Sequence, residues 1–265
     1  MLRSLASLTA CGLLAAVAGN LALVPDARAQ EVGDYGDFEL LLLPAESHDA
    51  VTVEVADALG GSGRSGLEQV IDDLNMEFNL AEPVPIVFAT WSDIDDMAVA
   101  NLADRQPGAL FDRNGTDAIY ISYEFLAKIL YTFEGDPDAW YLNVINVLLH
   151  EVGHALIHIN RIPAPENGAD PERDADEVAF FVMAAFYEAE GQLHTVAEHY
   201  RRIANAALYE GYDHLPDENR AQRYACWVWG SSDQGSPECV DLYLDLMETW
   251  DELLAPTWKD PFGDY

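Results

Sequence analysis

The sequence predicts an α+β protein, in which a small mixed α/β lobe packs on a mainly helical lobe. Short apolar runs with strand-like composition alternate with a helical segment over the first part of the chain. From residue 125 onward, apolar residues recur at helical spacing. We therefore expect residues 30–265 to form a single domain, with the α/β lobe over about 30–135 and the helical lobe over about 136–265.

The first 29 residues have the form of a cleavable signal peptide. Arg3 supplies a basic start, an apolar stretch runs from Leu5 to Val24, and the small residues of "ARA" precede Gln30. A membrane anchor is the alternative, but small and polar residues interrupt the apolar stretch. We therefore expect residues 1–29 to be removed, no later segment to span a membrane, and the remaining chain to be secreted or periplasmic.

The chain is strongly acidic, with 47 Asp and Glu against 13 Lys and Arg and a formal net charge of −34. Such a surface repels phosphate groups, so we expect no nucleic-acid partner and no binding to a membrane surface. We interpret the charge as a solvated acidic surface. The alternative, an array of weak cation sites, lacks the ordered aspartate loop that calcium sites use. The sequence leaves the oligomeric state open.

Three strands and one helix are predicted in the α/β lobe. The strands are "FELLLLP" at 38–44, "PVPIVFATW" at 83–91 and "DAIYISY" at 117–123. The helix covers Leu67–Leu80, where apolar residues recur every three or four positions. "GSGRSG" at 61–66 matches the dinucleotide-binding pattern, but the polar segment before it makes a poor strand. We therefore interpret it as a flexible turn before the helix.

Six helices are predicted in the helical lobe. They cover Phe125–Thr132, Asp138–Ile159, Glu172–Glu190, Leu193–Leu208, Arg220–Trp229 and Val240–Leu254. The second helix is apolar on all sides, which predicts that it is buried. Cys226 and Cys239 are the cysteines left after signal removal, and such a pair in an exported chain favours a disulfide. It would stabilise the fold by about 3 kcal/mol.

The buried second helix carries "HEVGHALIH" at residues 150–158. His150 and His154 are four residues apart, so they share a helix face and suit one tetrahedral zinc ion (Zn2+). Glu151 is the candidate general base for a water molecule that the ion activates. The alternative is a histidine cluster satisfied by its neighbours. Because the surroundings are aliphatic, buried polar groups need partners, and a metal would provide them. His158 lies one turn further, which we expect to be too far to bind the same ion, and this favours a role in packing or in contacting a ligand from behind.

A catalytic zinc site takes three protein ligands and leaves one position open. The next helix offers five acidic residues, which are Asp170, Glu172, Asp174, Asp176 and Glu177. Glu172 and Asp176 are four residues apart, so one could bind the ion while the other accepts the N–H of a ligand histidine. On the residues alone, Glu177 remains an alternative third ligand.

This pattern resembles the gluzincin metallopeptidases, whose H-E-x-x-H motif is followed about twenty residues later by E-x-x-x-D. The resemblance implies a zincin-like active-site helix and zinc ligands at His150, His154 and Glu172. It also implies that Glu151 is the catalytic base and that Asp176 orients a ligand.

The chain also resembles a bacterial family of secreted metallopeptidases over about residues 83–255. In that family the acidic helix is followed by a His, an Asp and a Gln-Arg pair before a Cys. "HLPDENRAQRYACWVWG" places His214, Asp217, Arg220 and Cys226 at the matching positions, with Asn219 in place of Gln. By analogy with the gluzincins, His214 is expected to stabilise the oxyanion, with Tyr224 as the second candidate.

These resemblances imply an exported zinc metallopeptidase that hydrolyses a peptide or protein substrate. By fold analogy, we expect the strand at 117–123 to pair with an extended substrate. Two alternatives share the same residues. One is a non-catalytic exported protein that binds metal or a partner, and the other is a zinc hydrolase of a non-peptide amide.

Overall fold

A computed structural model describes most of the chain after the predicted signal peptide. The described residues are 36–45, 48–98, 106–113, 115–133, 136–165, 170–187, 192–205, 218–232 and 235–259. Residues 1–29 and His214 lie outside these ranges. Within them the chain forms four strands and nine α-helices, which confirms the predicted α+β class. The single-domain organisation stays a prediction.

The strands are β1 Phe38–Leu42, β2 Val84–Ala89, β3 Ala109–Phe111 and β4 Ile119–Ser122. The first three helices are α1 Ala50–Gly60, α2 Arg64–Glu77 and α3 Trp91–Met97. The other six are α4 Tyr123–Thr132, α5 Pro137–Ile159, α6 Pro171–Tyr187, α7 His194–Asn205, α8 Glu218–Gly230 and α9 Pro237–Leu254. These six match the helices predicted from residue 125 onward, with ends that differ by a few residues.

"GSGRSG" joins two helices, because it follows α1 and leads into α2. A dinucleotide-binding turn needs a strand before it, so the interpretation as a turn agrees with the structure. The helical state of residues 50–60 was not predicted. Asp49 caps this helix, since its side chain accepts hydrogen bonds from the backbone N–H groups of Val51 and Thr52.

The four strands form one sheet in the order β1-β2-β4-β3. Strands β1, β2 and β4 are parallel, and β3 runs antiparallel to β4 at one edge. The expectation that the strand at 117–123 pairs with a substrate is wrong, because β4 is already paired with β2 on one side and β3 on the other. The edge strand on this side of the sheet is β3.

Helix α5 lies in the main hydrophobic core, where Val144, Leu148 and Val152 are fully buried. Asp136 caps its N-terminus and Pro137 occupies its first turn. By length and composition α5 could cross a membrane. We had expected no membrane-spanning segment after the predicted signal peptide. However, 78% of its apolar window is buried inside the structure, as in the central helix of a folded core.

The predicted disulfide is present and joins Cys226 on α8 to Cys239 on α9. These two helices also pack against each other along their length. The bond therefore closes a short loop and links the last two α-helices of the described chain.

Candidate metal centre

Helix α5 presents two histidine side chains on one face, as their spacing predicts. The ring centroids of His150 and His154 are 4.8 Å apart, and the rings are nearly perpendicular at 88°. His150 is buried, whereas His154 is partly exposed. The pair therefore lies where the hydrophobic core opens toward solvent.

Glu172, in the first turn of α6, brings its carboxylate to both histidines. Its Oε2 lies 3.4 Å from Nε2 of His150, and its Oε1 lies 3.5 Å from Nε2 of His154. One ligand atom from each of the three residues can be chosen so that all lie within 4.8 Å of one another. Neighbouring ligands of a tetrahedral zinc ion are about 3.4 Å apart, given bonds of about 2.0–2.1 Å. The residues present therefore fit a metal ion.

Asp176, one turn further along α6, contacts the other nitrogen of His150. Its Oδ1 lies 2.9 Å from Nδ1 of His150, and its side chain is fully buried. A carboxylate at Nδ1 fixes the tautomer and the orientation of a ligand imidazole, so that Nε2 faces the ion. The structure therefore brings Asp176 to the position that the sequence predicts for it.

The ionisation of this pair follows from its charged surroundings. Burial alone would raise the pKa of Asp176, but the charge of Arg220 and the contact with His150 lower it. Burial alone would lower the pKa of His150, but Asp176 and Glu172 raise it to about 9. In the protein chain by itself the two groups thus carry opposite charges. An ion that binds at Nε2 must displace a proton from His150.

Glu151 lies beside the histidine pair and is almost completely buried, with 2% of its surface exposed. Its Oε2 has no hydrogen-bond partner among the described residues. A buried carboxylate oxygen without a partner is costly, and such groups are typical of sites that act on a ligand. The position is therefore compatible with the predicted general base.

The alternative third ligand, Glu177, faces another part of the protein. Its Oε2 accepts a hydrogen bond of 2.9 Å from Nε1 of Trp250 on α9. Its Oε1 lies 3.6 Å from Nε of Arg173. Among the described residues, Glu172 and not Glu177 groups with the two histidines.

Two other predicted residues have defined contacts. Tyr224 is fully buried, and its hydroxyl group donates a hydrogen bond to Oδ1 of Asn146 on α5 at 3.2 Å. Its side chain therefore lies in the core. His158 packs against the ring of Phe111 on β3, with ring centroids 5.7 Å apart, in agreement with a packing role. The candidate oxyanion residue His214 lies outside the described residues.

Gly153, between the two histidines, allows α6 to approach α5 closely. A Cβ atom at this position would lie 3.0 Å from both Cα and the carbonyl oxygen of Ala175, and 3.2 Å from Cβ of Val178. Since Ala175 lies between Glu172 and Asp176, this close approach sets the distance of both acidic residues from the histidines. This role of Gly153 was not predicted from the sequence.

We expect Gly153→Leu to lower the free energy of unfolding by about 2 kcal/mol, because the larger side chain forces α6 away from α5. The same displacement should weaken metal binding. Gly60→Leu is the matched control, since a Cβ at Gly60 meets nothing within 4 Å. Denaturant titration and metal titration of both variants check the prediction, which fails if Gly153→Leu behaves like Gly60→Leu.

The main partner of Asp176 was not predicted from the sequence. Arg220 on α8 is buried and donates two hydrogen bonds to this carboxylate, from Nε at 2.7 Å and from Nη2 at 2.5 Å. The sequence pointed to Arg220 only as one position of a family pattern. The spacing along α8 alone names no partner for this arginine.

Comparison with known proteins supports a metal-dependent site. A family model, DUF4344, described as "Putative metallopeptidase", matches residues 53–254. The matched range includes the histidine pair, Glu151, Glu172 and Asp176. No curated protein and no solved structure is significantly similar to the chain.

Proposed function

Because the chain belongs to this metallopeptidase family, we propose that it is an exported zinc-dependent peptidase with zinc ligands at His150, His154 and Glu172. The observation that carries the proposal is the approach of the two Nε2 atoms to the two carboxylate oxygens of Glu172, at 3.4 and 3.5 Å. Two imidazoles and one carboxylate are a ligand set that zinc uses in catalytic sites. The disulfide is compatible with an extracellular or periplasmic location.

The side chains around the ligands have separate roles in this proposal. A bound zinc ion supplies a Lewis acid and lowers the pKa of a water molecule toward about 7. Glu151, buried beside His150, takes the proton of the attacking water and then passes it to the leaving amine. Asp176 holds Nδ1 of His150, so that Nε2 stays directed at the ligand cluster. His214 stays the proposed oxyanion stabiliser.

We assign substrate pairing to β3 instead of β4. In the described part of the chain β3 has a strand partner on one side only, and Phe111 at its end contacts His158 of α5. An extended peptide can add to an exposed sheet edge through its backbone hydrogen bonds. A peptide bound along β3 would therefore run beside the helix that carries the histidines.

Hydrolysis of a mixed peptide library by the purified chain tests the function. We expect cleavage that a chelator abolishes and that added zinc restores, because the ion is needed to activate the water. Cleavage that is insensitive to the chelator would contradict the proposal. A zinc-binding chain that cleaves no peptide would point to the non-catalytic alternative, unless it cleaves non-peptide amides with the same dependence on the metal.

A further inference from the structure

We propose that Arg220 is a positioning residue of the metal centre, which holds Asp176 in the orientation that directs His150 at the ion. This inference rests on the proposed function, because it concerns the same ligands. Arg220 is not one of the proposed zinc ligands. Its effect would reach the ion through Asp176 and His150.

A continuous line of contacts leads from Arg220 to the ligand cluster. The guanidinium group donates to both oxygens of Asp176, and one of these, Oδ1, lies 2.9 Å from Nδ1 of His150. A two-point contact of this kind prevents rotation of the carboxylate. Rotation would move Oδ1 away from Nδ1 and release the imidazole ring.

The guanidinium group of Arg220 also approaches Glu172, the candidate third ligand. Nη1 of Arg220 lies 3.9 Å from Oε2 of Glu172, the oxygen that faces His150 at 3.4 Å. One cation therefore lies next to both carboxylates that act on His150, one at each ring nitrogen. Its charge offsets part of the repulsion between these carboxylates.

Arg220 also packs against an aromatic ring that belongs to a buried hydrogen-bond network. Its guanidinium carbon lies 5.1 Å from the ring centre of Tyr200 on α7. The hydroxyl group of Tyr200 accepts a hydrogen bond from Asn146, which also accepts one from Tyr224. Since Asn146 lies one turn before His150 on α5, this network joins α8, α7 and the histidine helix.

The buried pair of Arg220 and Asp176 is not explained by its contribution to the stability of the fold. Only 6% of Arg220 is exposed, and Asp176 is fully buried. Burying two charges has a desolvation cost that their attraction often fails to exceed, and apolar pairs of similar volume stabilise as well or better. A role in stability alone therefore gives no reason for a charged pair at this place, whereas orientation of His150 does.

The test is the zinc affinity of Arg220→Lys, measured by competition with a chelator, together with kcat and KM for peptide hydrolysis. Lysine keeps the charge but loses the two-point contact. We expect zinc affinity to fall by about 10-fold and kcat to fall with little change in KM. Arg201→Lys is the matched control, because Arg201 forms an exposed pair with Glu198. Tyr200→Phe removes the hydroxyl group that accepts a hydrogen bond from Asn146, and so shows what a weaker network does while Arg220 is unchanged.

Wild-type zinc affinity in a folded Arg220→Lys variant would overturn the inference and leave the proposed function intact. Absence of zinc binding by the wild type would overturn both. If Arg220→Lys does not fold, Asp176→Asn is combined with Arg220→Gln, which removes both charges. Because the contact through Asp176 is already lost in the Asp176→Asn background, we then expect Arg220→Gln to lower zinc affinity there by much less than about 10-fold. A further loss of about 10-fold would overturn the inference.

Discussion

Glu151→Gln is expected to lower kcat for peptide hydrolysis by about 10³-fold and to leave the zinc content at the wild-type level. Glutamine has nearly the shape of glutamate but cannot take a proton from water. Because Glu151 does not belong to the proposed ligand set, its loss should not release the ion. Since the side chain is buried and its Oε2 has no hydrogen-bond partner among the described residues, the substitution breaks no contact of that oxygen.

The measurement pairs steady-state kinetics with the metal content of the same preparations. Glu177→Gln is the matched control, because Glu177 is also buried but faces Trp250. The amide oxygen of glutamine can still accept the hydrogen bond from the indole N–H of Trp250. We expect that variant to keep both activity and zinc. Activity of Glu151→Gln within a few-fold of the wild type would remove Glu151 from the mechanism.

Asp176→Asn is expected to lower the free energy of unfolding by about 3 kcal/mol, because it leaves the buried guanidinium of Arg220 without its counter-charge. Denaturant titration in the presence of a chelator measures this loss without any contribution from bound metal. Asp245→Asn, at an exposed position on α9, is the control and should change stability by less than about 0.5 kcal/mol.

The stability difference between wild type and Asp176→Asn should depend on pH. The pKa of Asp176 in the folded chain lies below its ordinary value of 3.8. The contribution of the carboxylate is therefore present above about pH 4 and is lost as the pH falls through the folded-state pKa. The part that comes from protonated His150 is also lost as the pH rises through the pKa of His150, about 9. A difference that does not shrink in acid would show that the charge of Asp176 is not its source.

The placement of the histidine pair could be predicted because it depends on one helix alone. A spacing of four residues puts His150 and His154 on one face whatever the rest of the chain does. The same local rule relates Glu172 to Asp176. The choice between Glu172 and Glu177 could not be made in this way, because it depends on how α6 is rotated against α5, and Gly153 takes part in that packing.

The edge of the sheet shows the same limit. The segment at 117–123 was correctly predicted to contain a strand, but strand order depends on contacts between distant segments. Strand β3 has only three residues, too few for an alternating pattern, and it pairs with β4 on the side where we had expected a substrate. The contact between Arg220 and Asp176 spans 44 residues and three helices, so no local pattern could reveal it.

Metal content, measured by mass spectrometry on the purified protein, tests the central claim most directly. We expect about one zinc ion per chain for the wild type, and loss of zinc in His154→Ala and in Glu172→Ala separately. Glu177→Gln should keep its zinc. A wild-type chain that binds no zinc after dialysis against it would contradict the account, and zinc retained by Glu172→Ala would contradict the assigned third ligand.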